Sequence, residues 1–248
     1  MIPPPAARLR SRTRIILNRR RPLVTHGGDR SPCALCLAHA NNGDSASMKL
    51  FASATSPFGR LVRVVLHEKQ IAGRVALEMV DPWSTPASLA SVNPVSRVPT
   101  LVADDGTALT ESTLIALYLE RRYPEPRLVP RDRVESVHAR LGLVHGCLDA
   151  AVGVVSLRRF APEAGAMIER RLQAVRRVVA PLTAAVQGVD GEQPDLGDLA
   201  VAVALEYLDF RFAGEVDWRG SSGAAERWLE VIAARPSLAE TRPPQPSS

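Results

Sequence analysis

Between Met48 and Val80 the chain reads strand, helix, strand, and this constrains the fold more than any other feature. Met48 to Ser53 is a short, mostly apolar segment that reads as a strand. Ser56-Pro57 follows as a turn and a helix start, because proline suits the first helical position. From Gly59 to Gln70 the pattern is helical: Leu61, Val62, Val65 and Leu66 share one face, while Arg60, Arg63 and His67 recur at i, i+3, i+7 on another. Gly73 ends the helical element, and Val75 to Val80 reads as a second strand. Two strands joined by a helical crossover pair in parallel, so the chain must build an α/β layer that buries the helix on the sheet.

The next segment changes character. Pro82 to Pro94 reads as loop with a short helix around Ala87–Ala90. Val98 to Val102 enters a third strand, Asp105-Gly106 is a strong hairpin signal, and Thr107 to Thr110 returns as a fourth strand. Ser112 is expected to cap a helix running to Arg122, with Leu114, Ile115, Tyr118 and Leu119 on its inner face. The order is βαβ, then ββα. After the linker-like Tyr123-Pro124-Glu125-Pro126 only helical patterns follow: Arg131 to Phe160, Glu163 to Gln187, one opening at Asp195, and Ala224 to Ala234. Pro181 is expected to kink or break the second of these. Asp195 and Asp198 stand at capping-box spacing, ahead of an apolar face of Leu199, Val203, Leu205 and Leu208. The tail beyond Thr241 is rich in Pro and Ser and reads as loose.

Charge separates the ends of the chain from its body. Of the net +5, residues 1–47 contribute +6 through eight Arg and two Asp, so the remainder is close to neutral. A basic tail suits nucleic acid or anionic lipid, but the body offers neither of them a charged surface, so neither is expected as a partner. No run of eighteen apolar residues suggests a membrane span. Aromatics are 4% of the chain, so its core must rest on Leu, Val, Ala and Ile. The extension 1–47 reads as a disordered arm, an organellar presequence or an over-long start ahead of Met48, and the abrupt beginning of the pattern at Met48 favours the last. Cys33 and Cys36 form a lone C-x-x-C with no strand before it, which supports neither a zinc site nor a redox helix. Cys147 lies in a helical stretch and reads as a buried small hydrophobe. No metal and no disulfide is expected, which suits a reducing cytoplasm.

Three short motifs carry chemistry. Thr55-Ser56-Pro57-Phe58-Gly59-Arg60 places hydroxyls at a helix N-terminus, where unpaired N–H groups and a partial positive charge stabilise an anion such as a thiolate. Asn93-Pro94-Val95-Ser96-Arg97-Val98-Pro99-Thr100-Leu101 puts a proline directly before a strand, and a cis bond there would turn the backbone of Val98 towards an extended peptide. Leu109-Thr110-Glu111-Ser112-Thr113 sets an acid and a hydroxyl at another helix start, suited to the two charged ends of an α-amino acid. Each motif taken alone is equally an ordinary cap or turn.

In this order and spacing the motifs resemble the glutathione transferase superfamily over residues 48 to about 242. Asp195-Leu196-Gly197-Asp198-Leu199-Ala200 and Arg235-Pro236-Ser237-Leu238-Ala239-Glu240-Thr241 add to the resemblance. It implies an α/β plus all-α fold: a thioredoxin-like N-terminal domain over 48–125 and an all-helical C-terminal domain over 129–242, behind the basic extension 1–47. It further implies a cytoplasmic homodimer that conjugates the thiol of glutathione, a cosubstrate, to a small apolar electrophile in detoxification. By the same resemblance Ser56 stands at the catalytic position, Val98 and cis-Pro99 hold the cysteinyl backbone of glutathione, Glu111 and Ser112 hold its γ-glutamyl end, and Arg97 faces its glycyl carboxylate. Ser56 in place of Cys argues against thiol–disulfide exchange, and the first strand–helix unit offers no Tyr. Thr55 and Ser53 are rival hydroxyls. The second substrate would sit against the helix from Arg131 to Phe160, where His145 and Phe160 are available but read more simply as packing or surface residues. The alternatives are a binding or interaction protein on the same fold, or another glutathione-dependent reaction such as dehalogenation, isomerisation or peroxide reduction.

Overall fold

The computed structural model describes residues 48–189, 191–220 and 222–244. The reading of residues 1–47, including the Cys33–Cys36 pair, lies outside the described residues.

A four-stranded sheet in the order β2-β1-β3-β4 forms the first half. β1 (Met48–Ala52) pairs in parallel with β2 (Val75–Met79) across the crossover helix α1 (Pro57–Glu68). β3 (Thr100–Val102) and β4 (Ala108–Thr110) add antiparallel strands, with α2 (Ala87–Ala90) before them and α3 (Ser112–Arg122) after. The two faces follow from alternation. Met48, Leu50 and Ala52 join Leu61, Val65, Ile115 and Leu119 in the core under α1 and α3. Phe51 and Glu78 face the other way, where Ser88 of α2 donates to Glu78 at 2.7 Å.

The second half is helical: α4 (Val134–Phe160), α5 (Gly165–Ala184), α6 (Leu196–Phe212), α7 (Gly223–Ile232) and the short α8 (Pro236–Ala239). α4 packs on both α5 and α6. α4 is the one helix among the described residues long and apolar enough to cross a membrane, yet Val137, Leu141, Val144, Cys147, Leu148, Ala151 and Val154 are all buried in the protein core. Burial pushes the Cys147 thiol up to about 12, as its reading as a small hydrophobe requires. α6 is buried nearly all round, where the sequence suggested a single apolar face. α5 runs through Pro181 for one more short stretch, and the Thr183 hydroxyl donates to the carbonyl of Val179 at 3.1 Å beside it.

Three clusters of polar side chains tie the halves together. Arg60, expected on a polar face with Arg63 and His67, is only 5% exposed. Its guanidinium reaches Glu206 of α6 at 2.5 Å and the carbonyl of Leu238 at 3.0 Å. Glu68 accepts from Arg235 through both oxygens at 2.9 Å and from the Ser237 hydroxyl at 2.5 Å. Lys69 pairs with Glu120 and donates to the carbonyl of Pro126 at 2.6 Å, and Glu120 in turn takes the backbone N–H groups of Leu128 and Val129 in the connecting segment.

Candidate functional site

The strand register brings three loops to one rim of the sheet. Phe51 lies opposite Thr100, and Thr100 lies opposite Thr110. β1 therefore exits into Ser53–Ser56 at the rim where β3 enters from Arg97–Pro99 and β4 exits into Glu111–Ser112. Adjacent strands are about 4.8 Å apart, so three of them spread these loops over roughly 10 Å. That is close to the reach of a tripeptide at about 3.4 Å per residue. All six residues singled out in sequence, Ser56, Arg97, Val98, Pro99, Glu111 and Ser112, thus lie along this rim.

Ser56 is the N-cap of α1 in extended conformation, with Pro57 at the first helical position. Its Oγ accepts the N–H of Gly59 at 3.1 Å, and its carbonyl accepts that of Arg60 at 2.9 Å. A hydroxyl that already accepts still has its own proton to donate, and Ser56 is only half-buried, so that proton can meet a ligand. Gly59 packs closely on β1: a Cβ here would stand 3.3 Å from that of Ala52, tight enough that one of the two would have to give by a few tenths of an ångström.

The second loop is held from beneath by Asn93, a residue sequence reasoning quoted without giving it a task. Its buried amide donates to the carbonyl of Arg97 at 3.0 Å and to the Thr100 hydroxyl at 2.9 Å, and its oxygen accepts the N–H of Val95 at 3.1 Å. The Thr100 hydroxyl also donates to the carbonyl of Arg97 at 2.8 Å. The Val98–Pro99 bond is cis, as the motif suggested. Asn spaced seven residues before Thr, around a pre-strand proline, was the signal available for this bracket.

At the third loop the structure corrects the expected cap. Ser112 is the first residue of α3 and buried, Glu111 occupies the N-cap, and neither gives the helix a side-chain capping bond. Glu111 instead has φ of 66° and ψ of 116°, a region that costs a non-glycine residue about 1–3 kcal/mol. That backbone turns the acid outward at the rim, where it is exposed. Leu114, expected inside, is 61% exposed. Ile115, Ala116 and Leu119 form the buried face.

Leu114 borders a cleft of about 430 Å³ between α3 and α4, lined by Glu111, Thr113, Leu117, Leu141, Gly142 and His145 among others. His145 also meets Phe58 of the first turn of α1 in a tilted ring contact, with ring centroids 5.6 Å apart. Phe160, the other α4 residue considered in sequence, meets Trp83 in the turn after β2 instead, at 5.1 Å. Trp83 was not anticipated from sequence. Among the described residues no group of three His, Cys, Asp or Glu side chains is placed to hold a metal ion.

Comparison with known proteins defines the class. Residues 50–127 match the family described as "Glutathione S-transferase, N-terminal domain", and residues 164–234 match "Glutathione S-transferase, C-terminal domain". The chain belongs to the glutathione S-transferase family. It is 33% identical over 206 residues to the uncharacterized GST-like protein YibF of Escherichia coli, covering 80% of this chain and all of that one. It is 30% identical over 217 residues to a maleylacetoacetate isomerase of Pseudomonas aeruginosa, covering 79% of this chain and 96% of the relative. A glutathione transferase family member from Pseudomonas fluorescens, solved with bound glutathione, superposes with a TM-score of 0.73 at 33% identity, covering 79% of this chain and 99% of that one.

Proposed function

We propose that this chain is a serine-type glutathione transferase that conjugates the thiol of glutathione to a small, largely apolar electrophile. The observation that carries the reading is the shared rim: a hydroxyl at a helix start, a backbone edge beside cis-Pro99 and an outward acid at Glu111 lie in a row of tripeptide length. Glutathione is such a tripeptide, with a thiol in the middle and charged groups at its ends. In this reading Glu111 pairs with the γ-glutamyl ammonium while the buried N-terminus of α3 at Ser112 faces its α-carboxylate. The Val98 backbone pairs with the cysteinyl unit, and Arg97 faces the glycyl carboxylate. The Ser56 hydroxyl donates to the sulfur, and the N-terminus of α1 favours its thiolate form. The thiolate then attacks the electrophile from a fixed position, so both charge stabilisation and proximity lower the barrier.

Titration calorimetry of glutathione into the full chain and into Glu111→Ala tests the reading. Saturable binding that weakens at least about tenfold in the variant, the loss of roughly 1.4 kcal/mol, is the expected outcome. Absence of binding at millimolar glutathione would sink it and leave an interaction protein on the same fold as the better account. Isomerisation is the second reading, favoured by the full-length similarity to the Pseudomonas aeruginosa isomerase. It uses the same thiolate for reversible addition and gives no conjugate as product.

A further inference from the structure

The first turn of α1 carries a buried charge that the glutathione reading leaves without a task. The backbone of Arg60 belongs to the Ser56 cap: its N–H donates to the Ser56 carbonyl at 2.9 Å, one residue after Gly59 donates to the Ser56 hydroxyl oxygen at 3.1 Å. Its side chain runs into the helical half. The guanidinium reaches Glu206 of α6 at 2.5 Å, the carbonyl of Leu238 in α8 at 3.0 Å and the Thr241 hydroxyl oxygen at 3.4 Å. The other Glu206 oxygen takes Arg242 at 3.2 Å, and Arg242 donates to the carbonyl of Ala233 at the end of α7 at 3.1 Å. A continuous polar path therefore joins the Ser56 cap, through Arg60 and Glu206, to the C-terminal segment.

Stability alone is a poor reason for this placement. Burial pulls the Arg60 guanidinium below its usual value although Glu206 stands beside it. A buried ion pair replaced by packed apolar side chains often leaves a protein as stable or more so. What the pair adds is direction. A guanidinium fork aimed at a carboxylate and a carbonyl fixes both distance and rotation, whereas an apolar contact tolerates sliding. Gly59, next to it, packs closely on Ala52 of β1. The turn that presents the Ser56 hydroxyl is thus held by the sheet and by the helical half together.

α1 carries a second clasp of the same kind at its far end. There Glu68 is gripped by Arg235 and Ser237 of the same C-terminal segment. Glu68 lies about 18 Å along the helix axis from Ser56. Both clasps join the same two halves, but only the Arg60 clasp bears on the turn that carries the hydroxyl. A general brace and a local one can therefore be told apart on a single helix.

We propose that Arg60 is a positioning residue for the reaction: anchored on Glu206 and Leu238, it sets the Ser56 hydroxyl and the N-terminus of α1 where they stabilise the thiolate of glutathione. This rests on the transferase reading and adds to it a residue that acts only through Ser56. Arg60 itself exchanges no proton. The Glu68 clasp holds the halves together and leaves the thiolate alone.

The test follows the ultraviolet thiolate band of bound glutathione against pH. The full chain is compared with Arg60→Met/Glu206→Met, Arg60→Lys and Arg235→Gln. The double variant replaces the pair with apolar side chains of similar length, so that neither charge is left buried alone. Arg60→Lys keeps a cation on Glu206 and gives up the fork to the Leu238 carbonyl. In the wild type the thiol of bound glutathione is expected to titrate below its free value. In the double variant that midpoint should rise by about one pH unit, and kcat with an activated aryl halide should fall about tenfold while KM for glutathione stays within about twofold. Arg60→Lys should move the midpoint the same way by about half a unit. Arg235→Gln should lower the urea midpoint of unfolding and keep the wild-type thiol titration. An unchanged thiol midpoint in either Arg60 variant overturns the proposal. An equal rise in Arg235→Gln also overturns it, since Arg60 would then be one brace among others. A wild-type chain that fails to bind glutathione, or binds it without lowering its thiol midpoint, overturns the transferase reading itself and the positioning role with it.

Discussion

Two of the helices that begin with a capping side chain, α1 and α6, end up in opposite states. α6 opens with Asp195 and Asp198, each accepting the other's backbone N–H, at 3.0 and 3.1 Å. Arg140 of α4 closes on both carboxylates at 2.5 and 2.6 Å, and the N–H of Leu196 reaches the carbonyl of Leu128 at 2.7 Å. Both carboxylates at that helix start have partners and both acids are about 1% exposed. α1 opens with Ser56, which accepts one N–H and keeps its own proton, beside a half-buried rim. The two starts use the same dipole and the same kind of cap. One is saturated by the protein and works as a lock between α4 and α6. The other is left incomplete, and an incomplete helix start is where a ligand can complete it.

The comparison breaks most sharply at the closed end. Arg140→Ala leaves the buried Asp198 without its cation and Asp195 with only the more distant Arg133 guanidinium at 3.5 Å, and burial together with the charge of Asp195 already holds the Asp198 carboxyl above its usual range. Loss of about 3–5 kcal/mol is expected, read from urea unfolding midpoints. A loss under 1 kcal/mol would mean that the lock is not the stabilising feature claimed for it.

At the open end the expected damage is to turnover. Ser56→Ala should lower kcat with an activated aryl electrophile about 100-fold, or roughly 2.7 kcal/mol of barrier. The same change removes a cap and costs only about 1 kcal/mol of stability. Equal activity in the variant would move the role to Thr55 or to the helix end alone.

The smallest effect sharpens the contrast at the seam between the halves. Burial alone would raise Glu68, but the hydrogen bonds from Arg235 and Ser237 and the charge of Arg235 outweigh it, so its carboxyl lies below the usual range. The folded pKa is depressed, so its contribution is complete above the unfolded value of about 4.3 and is lost as pH falls through the lower folded one. Wild type should lose about 1 kcal/mol more than Glu68→Gln between roughly pH 5 and pH 3, once solvent screening is allowed for. Parallel unfolding curves for the two proteins over that range would remove the assignment.

Much of this architecture is readable along the chain because its determinants are local. The helix between two apolar segments forces parallel strands, Asp105-Gly106 turns the hairpin, and the Asp195–Asp198 spacing is itself the box that forms. The three site motifs are legible for the same reason, each being a few consecutive residues at a strand or helix end. Arg60 shows where local reading fails. Its position on the helix groups it with Arg63 and His67, but its partner Leu238 lies 178 residues further on, and nothing in the spacing announces it.

The sequence by itself determined which segments become strands and helices, and which of them carry a hydroxyl, an acid or a proline at an end. Only the tertiary structure decided that these ends share one rim, that Ser112 follows rather than makes its cap, that Leu114 faces outward, and that Trp83 finds Phe160. The physical reason is the range of the interactions involved. Propensities, caps and turns act over three or four residues, whereas burial and ion pairing depend on which surfaces the packed chain brings within a few ångströms of one another.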